Sequence, residues 1–215
     1  MLKLRLLYEI TGKAKYMSHL DTMQVFRRSF ARAEIPVSFT EGFNPHPYLS
    51  IALPLPTCFE SVCELLDFDL ESDRVSNTFI FDLNRALPEG ITVMSVFVRV
   101  RAPKHIEYVS YDIEAEGVID TEAVSALFER KGVMIMKRSK SGESEVDVTD
   151  YIKGLSCQKT ENGAKLSVLL TTGAKTLNPE YIIRTIEKYV PETDIEFVSY
   201  RRTEVYDRDM KPFRS

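Results

Sequence analysis

The chain has 215 residues, 44% of them hydrophobic and 28% charged, with a formal net charge of −4. That length allows one large or two small cores, since single cores run to roughly 100–200 residues, and the composition excludes a disordered or collagen-like chain. The net negative charge excludes an overall field that draws nucleic acid, so any anion-binding surface must be a local patch.

Leu2, Leu4 and Leu6 alternate with Lys3 and Arg5, which predicts a half-buried strand from Leu2 to Glu9. Ser18, three residues before Asp21, opens a helix from His19 to Ala33 with Leu20, Met23, Phe26 and Phe30 as its inward stripe. Pro36 stops it, and Val37 to Phe39 reads as a short extended piece. An extended segment over Tyr48 to Leu55 and a strand over Val62 to Leu70 can pair as a hairpin, the strand setting Glu64, Asp67 and Asp69 among apolar residues. Asp73 to Leu87 carries Val75, Phe79, Leu83 and Leu87 at helical intervals, and Ile91 to Val100 is rich in strand formers. The order βαββαβ predicts a ferredoxin-like unit with an antiparallel sheet.

A second half repeats the order. Tyr108 to Ala115 reads as a strand, Thr121 to Lys131 as a helix, Val133 to Lys137 as a strand, Ser139 to Glu145 as a polar turn, and Val146 to Ile152 as the start of another strand. Lys165 to Thr171 follows as a strand, Pro179 to Tyr189 as a helix capped by Asn178, and Ile195 to Tyr200 as the closing strand. The expected fold is therefore α+β, with two ferredoxin-like halves over residues 1–102 and 103–215, joined near Arg101 to Lys104.

Three cysteines, Cys58, Cys63 and Cys157, lack CxxC spacing and suit a reducing compartment; Cys58 and Cys63 read as buried hydrophobes. The opening residues do not form a basic start followed by an apolar run, and no apolar run approaches the roughly 18 residues of a membrane span, so the expectation is a cytoplasmic protein with no membrane partner.

The densest run of unusual residues is YMSHLD followed by EGFNPHP, between Tyr16 and Pro47. Prolines on both sides of His46 stiffen its loop, which suits recognition by Phe43, Asn44 and His46. Ser18 and Asp21 have the residue types of a capping box, which competes with a binding role. His19 reads either as a solvent-facing helix start or as a binding group, and His46 either as a loop residue bonded to backbone or as a contact. Arg27, Arg28 and Arg32 lie on the outer side of the first helix and Lys13 and Lys15 just before it. They form either a solvated face or a phosphate-contacting patch, with Tyr16, Phe43 and Tyr48 available to stack on bases. His19, Asp21 and His46 are metal-ligand types without metal-site spacing, so no metal and no cofactor are expected. No nucleophile signature, P-loop or dinucleotide-binding glycine pattern is present, and no catalytic residue is assigned.

These runs, KAKYMSHLD, RRSFARAEIPVSFTEGFNPHP and LSIALPLPTCFES, together with ELLDFDL, EVDVTDYI and RRTEVYDRD, resemble the radical SAM-linked protein family, a domain of unknown function encoded beside or fused to a radical SAM protein. The resemblance covers nearly the whole chain and departs at Thr57-Cys58-Phe59, where a glycine-containing turn is expected. It implies a radical SAM protein as partner. The tandem order is also similar to that of CRISPR repeat-processing endoribonucleases, which bind RNA on such a scaffold. The leading expectation is an accessory module that presents substrate, structured RNA, to a radical SAM enzyme. The alternatives are a metal-independent endoribonuclease using His19 or His46, and a pure protein-interaction scaffold.

Overall fold

The computed structural model describes residues 1–139, 142–173 and 175–215. Two compact units divide the chain, Met1–His105 with Pro212–Ser215, and Ile106–Lys211. Both are mixed α+β, with antiparallel strands and two helices each among the described residues.

In the first unit the order is β1 (Leu2–Ile10), α1 (His19–Arg32), β2 (Leu49–Ile51), β3 (Glu60–Leu70), α2 (Phe79–Ala86) and β4 (Ile91–Val98). The sheet runs β4-β1-β3-β2, every pair antiparallel. Period-two alternation turns Leu4, Leu6, Tyr8 and Ile10 of β1 and Leu66, Phe68 and Leu70 of β3 to one core, where Met23, Phe26 and Phe30 of α1 and Phe79 and Leu83 of α2 meet them. Aromatic rings close the contact: Tyr8 meets Phe26 edge-on at 4.8 Å, and Phe68 lies 5.1 Å from Phe30 and 5.8 Å from Phe79.

Several expectations are corrected. Leu20 is 73% exposed and does not belong to the inward stripe of α1; the inner face is Thr22, Met23, Phe26, Ser29 and Phe30. At 100° per residue, Leu20 is turned about 120° from Phe26. β1 is buried on both faces, because Arg5 is fully buried and in register with the buried Asp67 of β3. Arg5 Nε and Nη2 donate to the two carboxylate oxygens at 2.6 and 2.9 Å. Nη2 also donates to the Arg101 carbonyl at 3.0 Å, and the guanidinium lies 4.7 Å over the Phe213 ring. α2 begins at Phe79 and not at Asp73: the hydroxyls of Ser72 and Ser76 accept from the N–H groups of Arg74 and Thr78 and hold 72–78 in turns that compete with a helix. Cys58 is exposed, with φ +73°, in the left-handed region where glycine is at home, while Cys63 is buried.

In the second unit the order is β5 (Tyr108–Val118), α3 (Thr121–Phe128), β6 (Met134–Ser139), β7 (Gly142–Asp147), β8 (Ile152–Lys159), β9 (Gly163–Thr171), α4 (Glu180–Tyr189) and β10 (Asp194–Tyr206). Its sheet runs β10-β5-β9-β8, again antiparallel throughout, with β6 and β7 as a separate hairpin. The sequence expects a polar turn over Ser139 to Glu145. Lys140 and Ser141 lie outside the described residues, and Gly142 onward is strand, its polar residues paired through the backbone with β6. The strand expected from Val146 is split, a 3-10 turn at Val148–Tyr151 separating β7 from β8. Asn178 accepts from the Glu180 N–H at 3.1 Å at the start of α4.

Candidate functional site

The first turn of α1 is a capping box. The Asp21 N–H donates to Ser18 Oγ at 3.2 Å, and the Ser18 N–H and hydroxyl donate to Asp21 Oδ2 at 3.1 and 2.7 Å. These bonds, the hydroxyl first and the backbone second, hold the Asp21 carboxyl below its ordinary range. Asp21 is thus engaged by the helix it starts.

His19, one residue into the helix, is exposed and borders a cavity of about 10 Å³ with Lys15, Thr22, Tyr8 and Glu64. A space of that size holds about one water molecule. Tyr8 and Glu64 are cross-strand partners in β1 and β3, and both are almost wholly buried. Sequence reasoning missed Glu64 as a candidate, grouping it with Asp67 and Asp69. The signal was available: Glu64 is in phase with Leu66, Phe68 and Leu70, so period two puts its carboxylate on the helix side of the sheet. Of the sequence candidates the cavity takes His19 and Lys15, and neither Asp21 nor His46.

The proline-bracketed loop interrupts an edge strand. Val37 bridges to Leu70 and Leu49 pairs with Phe68, so the chain between them leaves the sheet and returns to it. Bonds from the Thr40 N–H to the His46 carbonyl and from the Tyr48 N–H to the Ser38 carbonyl, both 2.8 Å, close its base. His46 turns back on this loop, its Nδ1 lying 3.0 Å from the Asn44 carbonyl and 3.2 Å from Thr40 Oγ1. The loop therefore orients the imidazole. Phe43 at the tip is fully exposed, and Asn44 and His46 are exposed with it. Tyr16 and Leu20 of the first run, and Phe39 and Tyr48 flanking the second, add further exposed apolar surface.

The basic residues fall into two groups. Lys13 is exposed, while Lys15 lies 4.0 Å from Glu60 and 5.5 Å over the Tyr16 ring. Arg28 is exposed, and Arg27 is half-buried with its Nε sheltered and without an acceptor among the described residues. Arg32 closes α1 about 20 Å along the axis from His19. It lines a different depression, with Asp82 and Arg85 of α2. The sequence reading did not include Arg85, which reaches this depression only through the packing of two helices. Among the described residues no group of three or more His, Cys, Asp or Glu side chains is placed to hold a metal ion. No helix among them is long and apolar enough to cross a membrane.

A family model described as an uncharacterized protein conserved in bacteria, DUF2344, matches residues 3–179. No curated protein matches the chain. Among solved structures the chain is similar to one in the crystal structure of a Cbf5–Nop10–Gar1 complex, with 11% identity and a TM-score of 0.51 over 95% of this chain and 49% of that one. The chain thus spans about half the length of that relative, and the likeness is one of fold. A crystal structure of an unknown protein from Galdieria sulphuraria matches with 11% identity over 94% of this chain and 98% of that one, at a TM-score of 0.28, too low to bear on the fold.

Proposed function

We propose that this chain, which belongs to the bacterial family DUF2344, is an accessory module that binds RNA and presents it to a radical SAM enzyme. The observation that carries the binding role is the fully exposed Phe43 on a loop stiffened by Pro45 and Pro47 and closed by backbone bonds. A large apolar ring held out in water on an ordered loop loses little freedom when it meets a partner. Exposed Tyr16, Phe39 and Tyr48 supply further rings for stacking, and Lys13, Lys15, Arg27, Arg28 and Arg32 supply cations for phosphates. The radical SAM partnership rests on the resemblance of the SHLD and GFNPHP runs. We read each unit as ferredoxin-like, a reading supported by the antiparallel orders β4-β1-β3-β2 and β10-β5-β9-β8, in which two helices join split strand pairs.

Binding of fluorescent structured RNA at two salt concentrations tests the proposal. Affinity falls as salt rises, and Phe43→Ala weakens binding about tenfold, as expected for one lost stacking contact of roughly 1–3 kcal/mol. Lys15→Ala with Arg28→Ala weakens binding further and lowers the salt slope. Affinity indifferent to salt and to all three changes removes the RNA reading; copurification with the radical SAM protein but without RNA then identifies a protein-interaction scaffold.

The cavity bordered by exposed His19 and buried Glu64 favours a second reading, a metal-independent endoribonuclease with His19 as general acid or base. Cleavage of labelled RNA in chelator, lost on His19→Ala, would establish it.

A further inference from the structure

At the opposite end of α1 from His19, the two helices of the first unit frame a groove. Arg32 in the last turn of α1 and Arg85 in the last turn of α2 line one depression with Glu34 and Asp82. Glu34 and Asp82 also line a second, of about 340 Å³, which continues past Phe79 to Arg74. That volume is in the range of small-ligand sites. Among the described residues none of these five charged side chains forms an ion pair, although both signs border the same depressions. Arg32 Nε donates to the Arg28 carbonyl at 3.3 Å and the Arg85 guanidinium lies 5.7 Å over the Phe81 ring, contacts that leave both charges without a counter-ion and open to a ligand that carries both kinds of complement.

Glu34 supplies a second, independent observation. α1 ends with the Ile35 N–H bonded to the Phe30 carbonyl at 3.0 Å and the Glu34 N–H to the Ala31 carbonyl at 3.2 Å, the pattern of a Schellman motif. The residue at its left-handed position, φ +53°, is ordinarily glycine, and here it is glutamate. A strained backbone position thus carries a carboxylate to the place where the two depressions join.

We propose that this groove holds a ribonucleotide unit of an RNA strand. Arg32 and Arg85 form a guanidinium pair for a phosphate, Glu34 and Asp82 accept hydrogen bonds from ribose hydroxyls or base amino groups, and Arg74 faces the next phosphate. This rests on the RNA-binding reading above, from which it takes Arg32, and adds a contact region between the two helices with a preference for ribose over deoxyribose.

The full chain is titrated with a fluorescent single-stranded RNA octamer and with DNA of the same sequence, using the parent, Arg85→Ala, Glu34→Gly and Phe43→Ala. In the parent, RNA binds at least threefold tighter than DNA. Arg85→Ala weakens RNA binding about tenfold. Glu34→Gly weakens RNA binding at least threefold and abolishes the preference over DNA, while its thermal midpoint equals or exceeds that of the parent because glycine fits the left-handed position. RNA binding that Phe43→Ala weakens, but Arg85→Ala and Glu34→Gly leave unchanged, overturns the groove and keeps the RNA-binding reading. No RNA binding by the parent at low salt overturns both.

Discussion

Ser18 satisfies one free N–H of α1, that of Asp21, and has its own N–H satisfied by the Asp21 carboxylate in return. Ser18→Ala should therefore cost about 1 kcal/mol, read as a lowered urea midpoint at unchanged slope. Cys58 presents the opposite case. Left-handed backbone costs a non-glycine residue about 1–2 kcal/mol, and the extra freedom glycine brings to the unfolded chain returns about 0.4–1 of that. Cys58→Gly should then stabilise the protein by about 0.5 kcal/mol in the same measurement. At this scale much of the candidate site was legible. The SHLD run announced its capping box, and the proline bracket announced a stiff His46 loop. The departure from an expected glycine at Thr57-Cys58-Phe59 coincides with a backbone angle that glycine would relieve. The burial of Asp67 was not legible, because it is charged, falls out of phase with Leu66 and Phe68, and is concealed by Arg5, a partner far along the chain.

Between elements, the consequential pair is Arg5 of β1 with Asp67 of β3, joined also by Arg99, whose guanidinium lies 3.7 Å from Asp67 and 2.9 Å from Asp69. Removing one member leaves a buried charge uncompensated. Asp67→Ala should cost about 3–5 kcal/mol, and the double change Arg5→Met with Asp67→Leu much less, since an apolar pair needs no compensation; a denaturation cycle separates the two. On β5, Asp112 is partly buried, which opposes ionisation. Hydrogen bonds from Lys165 and Ser167, each 2.8 Å, together with the Lys165 and Arg201 charges, outweigh burial and hold its carboxyl below the ordinary range. A depressed carboxyl contributes stability that is present above the unfolded value of about 3.9 and is lost as pH falls through the folded value. Asp112→Asn should therefore flatten the acid side of the stability profile below about pH 4, with little change in its shape near neutrality. Element identity was legible wherever one face was apolar, as in β1, α1, β9 and α4. It was not legible for β7, whose Glu143, Ser144 and Glu145 carry no alternation and whose strand is defined by backbone pairing with β6.

For the whole molecule, the division into units is less simple than the order of elements. The last four residues, Pro212–Ser215, belong with the first unit. Phe213 is fully buried there, with Arg5 4.7 Å and Arg101 4.6 Å from its ring, and Arg101 Nε donates to the Ser215 carbonyl at 2.8 Å. Phe213→Ala should cost about 3–5 kcal/mol, the range for emptying a buried aromatic site. Residues 1–105 expressed alone should be destabilised by a similar amount and recover when Pro212–Ser215 is appended through a flexible linker; thermal unfolding of the two fragments checks this. By itself the sequence determined the α+β class, the sites of most strands and helices, the cap of α1 and the stiff loop, because alternation, capping and proline act over a few residues. Tertiary structure alone decided that Arg5 and Asp67 are buried together, that Glu64 borders the cavity beside His19, and that Arg32 and Arg85 line one depression. Each depends on strand register or helix packing between residues far apart in the chain, and no local pattern encodes such a meeting.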